Sequence, residues 1–166
     1  MGSAPPPDPF SRNAQDTDGL ERSGPFWDTV EGRVPLPPAA ATLGLRFVEA
    51  NPERRTIELS FTATEEFTNP SGNVLGGFLA AMLYDTVGPA LLATLWPDEF
   101  QTTTELTATF LRPARPGPIR AVGRVEHRDG DLAFLEAALF DTTGTMVATA
   151  IATARVIPLA DARAAA

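Results

Sequence analysis

Residues 77–95, GFLAAMLYDTVGPALLATL, constrain the fold of this chain more than any other stretch. If the segment is helical, Phe78, Leu79, Ala81, Met82, Leu83, Val87, Ala90, Leu91, Leu92 and Leu95 cover nearly its whole circumference. Such a helix must be buried on most sides. No apolar run in the chain approaches the roughly 20 residues of a membrane span, so the surroundings must be protein. Gly88-Pro89 lies in the middle of the segment and predicts a kink or short break, because proline removes a backbone donor and clashes with the preceding turn.

The flanking sequence reads as strands. From Leu45 onward the pattern changes, and RTIELSF alternates Ile57, Leu59 and Phe61 with polar residues, the period of a half-buried strand. After the helix come TTTELTATFLRP, PIRAVGRVEHR, DLAFLEAALFD and TMVATAIATARVIP, with HRDGDL and FDTTGTM as hairpin turns. Two strands, one apolar helix and four antiparallel strands make an α+β chain. A curled sheet of about six strands wrapped around one central helix, the hotdog architecture, provides the enclosure that the helix needs.

The ends read differently. Residues 1–25 are rich in Pro, Asp, Ser and Gly without an apolar period, and predict a disordered tail. PFWDTVEG predicts one or two helical turns with Phe26, Trp27 and Val30 on a shared face, ended by Gly32. These aromatics either anchor to the core or wall a ligand pocket. RVPLPPAAATLG, with its prolines, predicts no regular structure. The expected division is a tail over 1–25, one domain over 26–158 and a C-terminal tail over 159–166.

Composition narrows the chemistry. The net charge of -8 argues against general binding to nucleic acid. All 13 basic residues are arginine, which removes lysine chemistry, and the absence of cysteine removes thiolate nucleophiles, disulfides and zinc-thiolate sites. His127 is the only histidine, lies at an expected strand end, and has no nucleophile elbow to serve. The N-terminus lacks a basic start and an apolar signal core, so the cytoplasm is the expected compartment, without membrane contact.

NPSGNVLGGFLAAMLYDT, residues 69–86, resembles the hotdog acyl-CoA thioesterases, specifically the phenylacetate-pathway type within the 4-hydroxybenzoyl-CoA thioesterase superfamily. The resemblance runs over about residues 40–158. Asn69, Gly72, Gly76 and Gly77 match the family motif in residue and spacing, while Leu75 replaces its common histidine. It implies hydrolysis of an acyl-CoA to a carboxylate and free CoA, with coenzyme A as part of the substrate and no separate cofactor or metal. It also implies a homodimer whose sites combine residues of both subunits, often paired again into a tetramer.

Physical reasoning on the same residues leads to similar roles. A glycine pair opening a helix leaves N–H groups without intrahelical partners at the positive end of the dipole, where a thioester oxygen becoming an oxyanion can be stabilised. Gly76 and Gly77 are therefore oxyanion-hole candidates; otherwise they allow close packing against a strand. Asn69 either holds water or the carbonyl, or forms a turn before proline. The family's helix carboxylate falls on Tyr84, with Asp85 one residue later, a rotation of about 100°. A phenol with a pKa of about 10 is a poor base at neutral pH, so Tyr84 suits hydrogen bonding and Asp85 the role of base or nucleophile, provided a local bulge or the Gly88-Pro89 kink turns it into the site; otherwise Asp85 pairs with an arginine or faces a subunit boundary. The resemblance gives the Thr103 hydroxyl a part in orienting water; a threonine also simply suits a strand.

Five arginines lie between positions 112 and 128, with Glu126 the only acid among them. Even spacing predicts that Arg120, Arg124 and Arg128 share a strand face. Arginine forks suit the phosphates of coenzyme A, with Arg112, Arg115 and Arg128 as candidate contacts, against a solvated strand face as the alternative. Phe78, Met82 and Trp96 are possible contributors to an apolar acyl pocket. Two further functions fit the sequence: a catalytically weakened acyl-CoA binding or regulatory protein, favoured by Tyr84 and Leu75, and an acyl-thioester dehydratase or hydratase, which would depend on His127.

Overall fold

The computed structural model describes residues 22–164. The expected tail over 1–25 lies, as far as residue 21, outside the described residues. Two short helices, α1 (Pro25–Val30) and α2 (Pro38–Thr42), precede strands β1 (Arg46–Asn51) and β2 (Thr56–Ala63). After a 3-10 turn at Glu65–Phe67 come α3 (Gly76–Leu92), then β3 (Glu99–Phe110), β4 (Gly117–Asp129), β5 (Leu132–Phe140), β6 (Met146–Pro158) and α4 (Leu159–Ala164). The expected C-terminal tail thus begins as a single short helix.

All strand pairs are antiparallel, in the order β1-β2-β4-β5-β6-β3. This is the six-stranded hotdog sheet with α3 packed on its inner face. Register carries the apolar sets into line, with Leu59 opposite Ala121 and Ala121 opposite Leu139, all buried. From the helix, Met82, Leu83, Val87 and Leu91 are wholly buried against them. Close approach is possible because β4 has a glycine under the helix. A Cβ on Gly123 would lie 3.0 Å from Thr86 and 3.1 Å from Ala90.

The two hairpins form where the turn residues place them. Gly130 and Gly144 take positive φ (59° and 80°), and the Asp141 carboxylate accepts from the backbone N–H groups of Thr143 and Thr145. Three expectations need correction. The helix is not broken at Pro89 but continues to Leu92, three residues short of the expected end. The proline-rich stretch is not wholly irregular: Pro38 occupies the first position of α2, where its fixed φ and missing N–H favour helix initiation. The third concerns β4.

A β-bulge between Val125 and His127 puts an extra residue into β4. Beyond it the alternation reverses, so Arg128 turns inward while Arg120 and Arg124 stay exposed. The three arginines therefore do not share a face. Arg128, with only 4% of its side chain exposed, donates to Glu99 at 3.1 Å and to the Gly130 carbonyl at 2.9 Å. Arg120 pairs with Glu58, and Arg124 with Glu126 and Glu136. Neighbouring strands supply acids that the linear sequence does not place beside these arginines.

Candidate active site

The loop that delivers α3 is held from both ends. Asn69 Oδ1 accepts from the N–H groups of Ser71 and Asn73, and Gly72 reverses the chain at φ 75°. The side-chain oxygen of Asn69 thus shapes the turn. Arg115 reaches across and donates to the carbonyls of Ser71 and Gly72 at 3.4 and 3.3 Å. Val74 donates to Ala114 and Leu75 to Phe67, which fixes where the helix begins. No backbone acceptor meets the N–H groups of Gly76 and Gly77 among the described residues. Those donors are available to a ligand.

Gly77, Ala81, Asp85 and Gly88 recur every three or four residues and so lie along one face of α3. Two adjoining cavities flank this face, and both are lined by Pro37, Ala40, Tyr84 and Asp85. One, of about 490 Å³, extends past Ala81 to Gly77. The other, of about 510 Å³, extends beneath α1 and is walled by Phe26, Val30, Phe47, Leu92 and Phe100. Both neighbours in the Tyr84-Asp85 pair line the space, since each borders both cavities. Tyr84 is half exposed, whereas burial pushes the Asp85 carboxyl from 3.8 up to about 6.

Gln101 belongs to the same site and was not anticipated. It lines the larger cavity, and its side-chain amide nitrogen stands so close to Gly88 that a Cβ there would be 2.8 Å away. Thr103 donates to Gln101 Oε1 at 3.2 Å. The hydroxyl thus orients an amide that stands against Gly88 and lines the same cavity as Asp85. The available sequence signal was the even spacing of Gln101 and Thr103, which puts them on one side of β3.

Other candidates lie elsewhere. Met82 is wholly buried in the core, Phe78 stacks on Phe67 at 4.1 Å between ring centroids, and Trp96 borders a small separate cavity next to α1. None of the three lines the two cavities at Asp85. His127 stacks with Phe134 and lines neither cavity. Arg112 is exposed and makes only a long contact, 3.5 Å, to the Met146 carbonyl. Among the described residues no group of three or more His, Cys, Asp or Glu side chains could hold a metal ion, and no helix is long and apolar enough to cross a membrane.

Comparison with known proteins agrees with this fold. The thioesterase superfamily profile matches residues 71–148, from the loop before α3 into β6. A phenylacetic acid degradation-related protein of Ralstonia eutropha JMP134 is 36% identical with a TM-score of 0.76, over 78% of this chain and 98% of that one. A Haemophilus influenzae thioesterase shares the fold at 19% identity and a TM-score of 0.68, over 73% of this chain and 83% of that one. The PaaI protein of the Escherichia coli phenylacetic acid degradation operon does so at 17% and 0.70, over 80% of this chain and 93% of that one. No curated protein matches the sequence. With the hotdog sheet, the open amides of Gly76 and Gly77 and the desolvated acid of α3 in place, the chain belongs to the thioesterase superfamily, whose chemistry is hydrolysis of a thioester.

Proposed function

We propose that this protein hydrolyses an acyl-CoA, releasing a carboxylate and free CoA, with Asp85 as general base. The observation that carries the reading is a desolvated carboxylate on the same helix face as an unpartnered N-terminal amide pair. Asp85 takes a proton from a water as its oxygen attacks the thioester carbonyl. The Gly76 and Gly77 amides stabilise the resulting oxyanion, and collapse of the tetrahedral intermediate expels the thiolate of CoA. A thiolate is a far weaker base than an alkoxide or an amide anion and leaves readily, so no strong general acid is required.

One subunit is insufficient for this geometry. At about 1.5 Å per residue, Asp85 lies roughly 12 Å along the helix from Gly77, too far for both to engage one carbonyl and its attacking water. A second copy can supply the complementary half, so the working unit is a homodimer whose sites each combine glycines of one subunit with the acid of the other. The free edge of β3, with Phe110 53% exposed and Leu111 beside it, offers a pairing surface for that copy. Arg112 and Arg115, exposed near the helix start, are the phosphate contacts for CoA. Arg128 is not among them, because it is buried against Glu99.

A thiol-release screen over several acyl-CoAs tests the reading. Wild type should turn over, and Asp85→Asn should lose about 10²- to 10⁴-fold. Tight acyl-CoA binding without thiol release would make the protein a binder. Unchanged turnover in Asp85→Asn would remove the assigned base.

A further inference from the structure

The cavity beneath α1 has a one-sided polarity. Its polar groups lie at the α3 and β3 end, where Asp85, Tyr84 and Gln101 stand together. The opposite wall, from α1 and the segment before α2, presents Phe26, Val30, Leu36 and Pro37. Thr29 is the polar exception there, and its hydroxyl is already engaged with the carbonyl of Pro25. No arginine or other cation lines the cavity among the described residues.

The α1 wall is firmly placed. Trp27 is 4% exposed and meets Phe26 and Phe47 edge-on, with ring centroids 5.0 and 6.1 Å apart, while Arg22 caps its outer face at 4.7 Å. Gly24, at φ 100°, abuts Pro97 so closely that a Cβ would lie 3.3 Å from its Cα. With Trp27 fixed in the core, Phe26 and Val30 project their apolar surfaces into the space leading to Asp85. Both residues precede the stretch matched by the superfamily profile, residues 71–148.

Resting on the acyl-CoA reading, we infer that α1 is the specificity element of the enzyme: Phe26 and Val30 form the end wall of a chamber that receives an uncharged, apolar acyl group. The chamber orients that group by polarity, with the thioester carbonyl at Asp85 and the acyl tail under α1. Its volume, about 510 Å³, is within the range of small-molecule sites and admits a medium-length alkyl or an aryl tail. An acyl group ending in a carboxylate would be buried without a partner and is rejected. Acetyl leaves the apolar wall unfilled and gains little from it.

The test uses the full-length protein with acetyl-, hexanoyl-, decanoyl-, phenylacetyl- and succinyl-CoA, measuring kcat/KM by thiol release. Hexanoyl- and phenylacetyl-CoA should exceed acetyl- and succinyl-CoA by about 10-fold or more. Phe26→Ala should shift the preference toward decanoyl-CoA, and Val30→Phe toward the shorter acyl groups. These opposite shifts cannot arise from a general loss of folding. Succinyl-CoA turned over as fast as hexanoyl-CoA, or one unchanged acyl preference in both variants, would overturn the inference. If wild type cleaves no acyl-CoA, the hydrolase reading fails while the chamber is still decided by calorimetry: the same acyl order should then govern affinity and shift the same way in the two variants, and a flat order would overturn it.

Discussion

Asp85 is poised rather than simply present. Its carboxyl titrates near 6 instead of 3.8 because the walls around it exclude water, so it is ionised at neutral pH yet holds a proton more strongly than an exposed aspartate. The thiol-release rate should rise with pH through about 6 and level off above it, and Asp85→Asn should abolish that limb. The stability effect runs the opposite way. Between pH 3.8 and 6 the native state binds the proton that the unfolded chain has released, so stability falls as pH rises through this window. Above it, the desolvated charge costs about 3 kcal/mol, at 1.36 kcal/mol per pKa unit. Asp85→Asn should therefore raise Tm at pH 8 and leave it nearly unchanged at pH 3; equal gains at both would mean that the carboxylate is not desolvated.

The start of α3 and the bulge of β4 are two elements where one residue separates function from packing. Gly77 has nothing within 4 Å of where a Cβ would stand, whereas a Cβ on Gly76 would press on the Phe110 ring at 3.3 Å. Gly77→Ala should therefore stabilise the helix by about 0.5–1 kcal/mol while slowing thiol release, because its methyl enters the groove. Gly76→Ala should gain less stability. In β4, Arg128→Ala leaves Glu99 buried without its cation and should cost about 3–5 kcal/mol in chemical denaturation, with KM for acyl-CoA unchanged. A raised KM with unaltered stability would return Arg128 to the substrate.

For the assembled molecule, the proposed homodimer rests on the separation of Gly77 and Asp85 along one helix. Co-refolding Asp85→Asn chains with Gly77→Val chains should restore about one quarter of wild-type activity, since half the dimers are mixed and each holds one intact site. No recovery would mean that each subunit builds its own site. The cavities extend the same principle across one chain, because Asp85, Gln101 and Phe26 come from α3, β3 and α1, far apart in sequence. Hairpins, strand periods and the enclosed helix were legible from the sequence because each is written in local spacing. Gln101 was not, because spacing places a residue on a face without stating what faces it, and for Phe26 and Val30 the same spacing left core anchor and pocket wall both open.

By itself the sequence determined that a helix apolar on all sides had to be enclosed by an antiparallel sheet, and that its glycine pair would open with unpaired amides. Hydrophobic period and turn chemistry act over a few residues and need no partner. Only the tertiary structure decided that a one-residue bulge turns Arg128 into the interior and that Glu58 and Glu136 neutralise Arg120 and Arg124. It also decided that Tyr84 and Asp85 each line both adjoining cavities. Burial, pairing and desolvation depend on which distant strands and helices become neighbours, and that is fixed when the sheet closes around the helix.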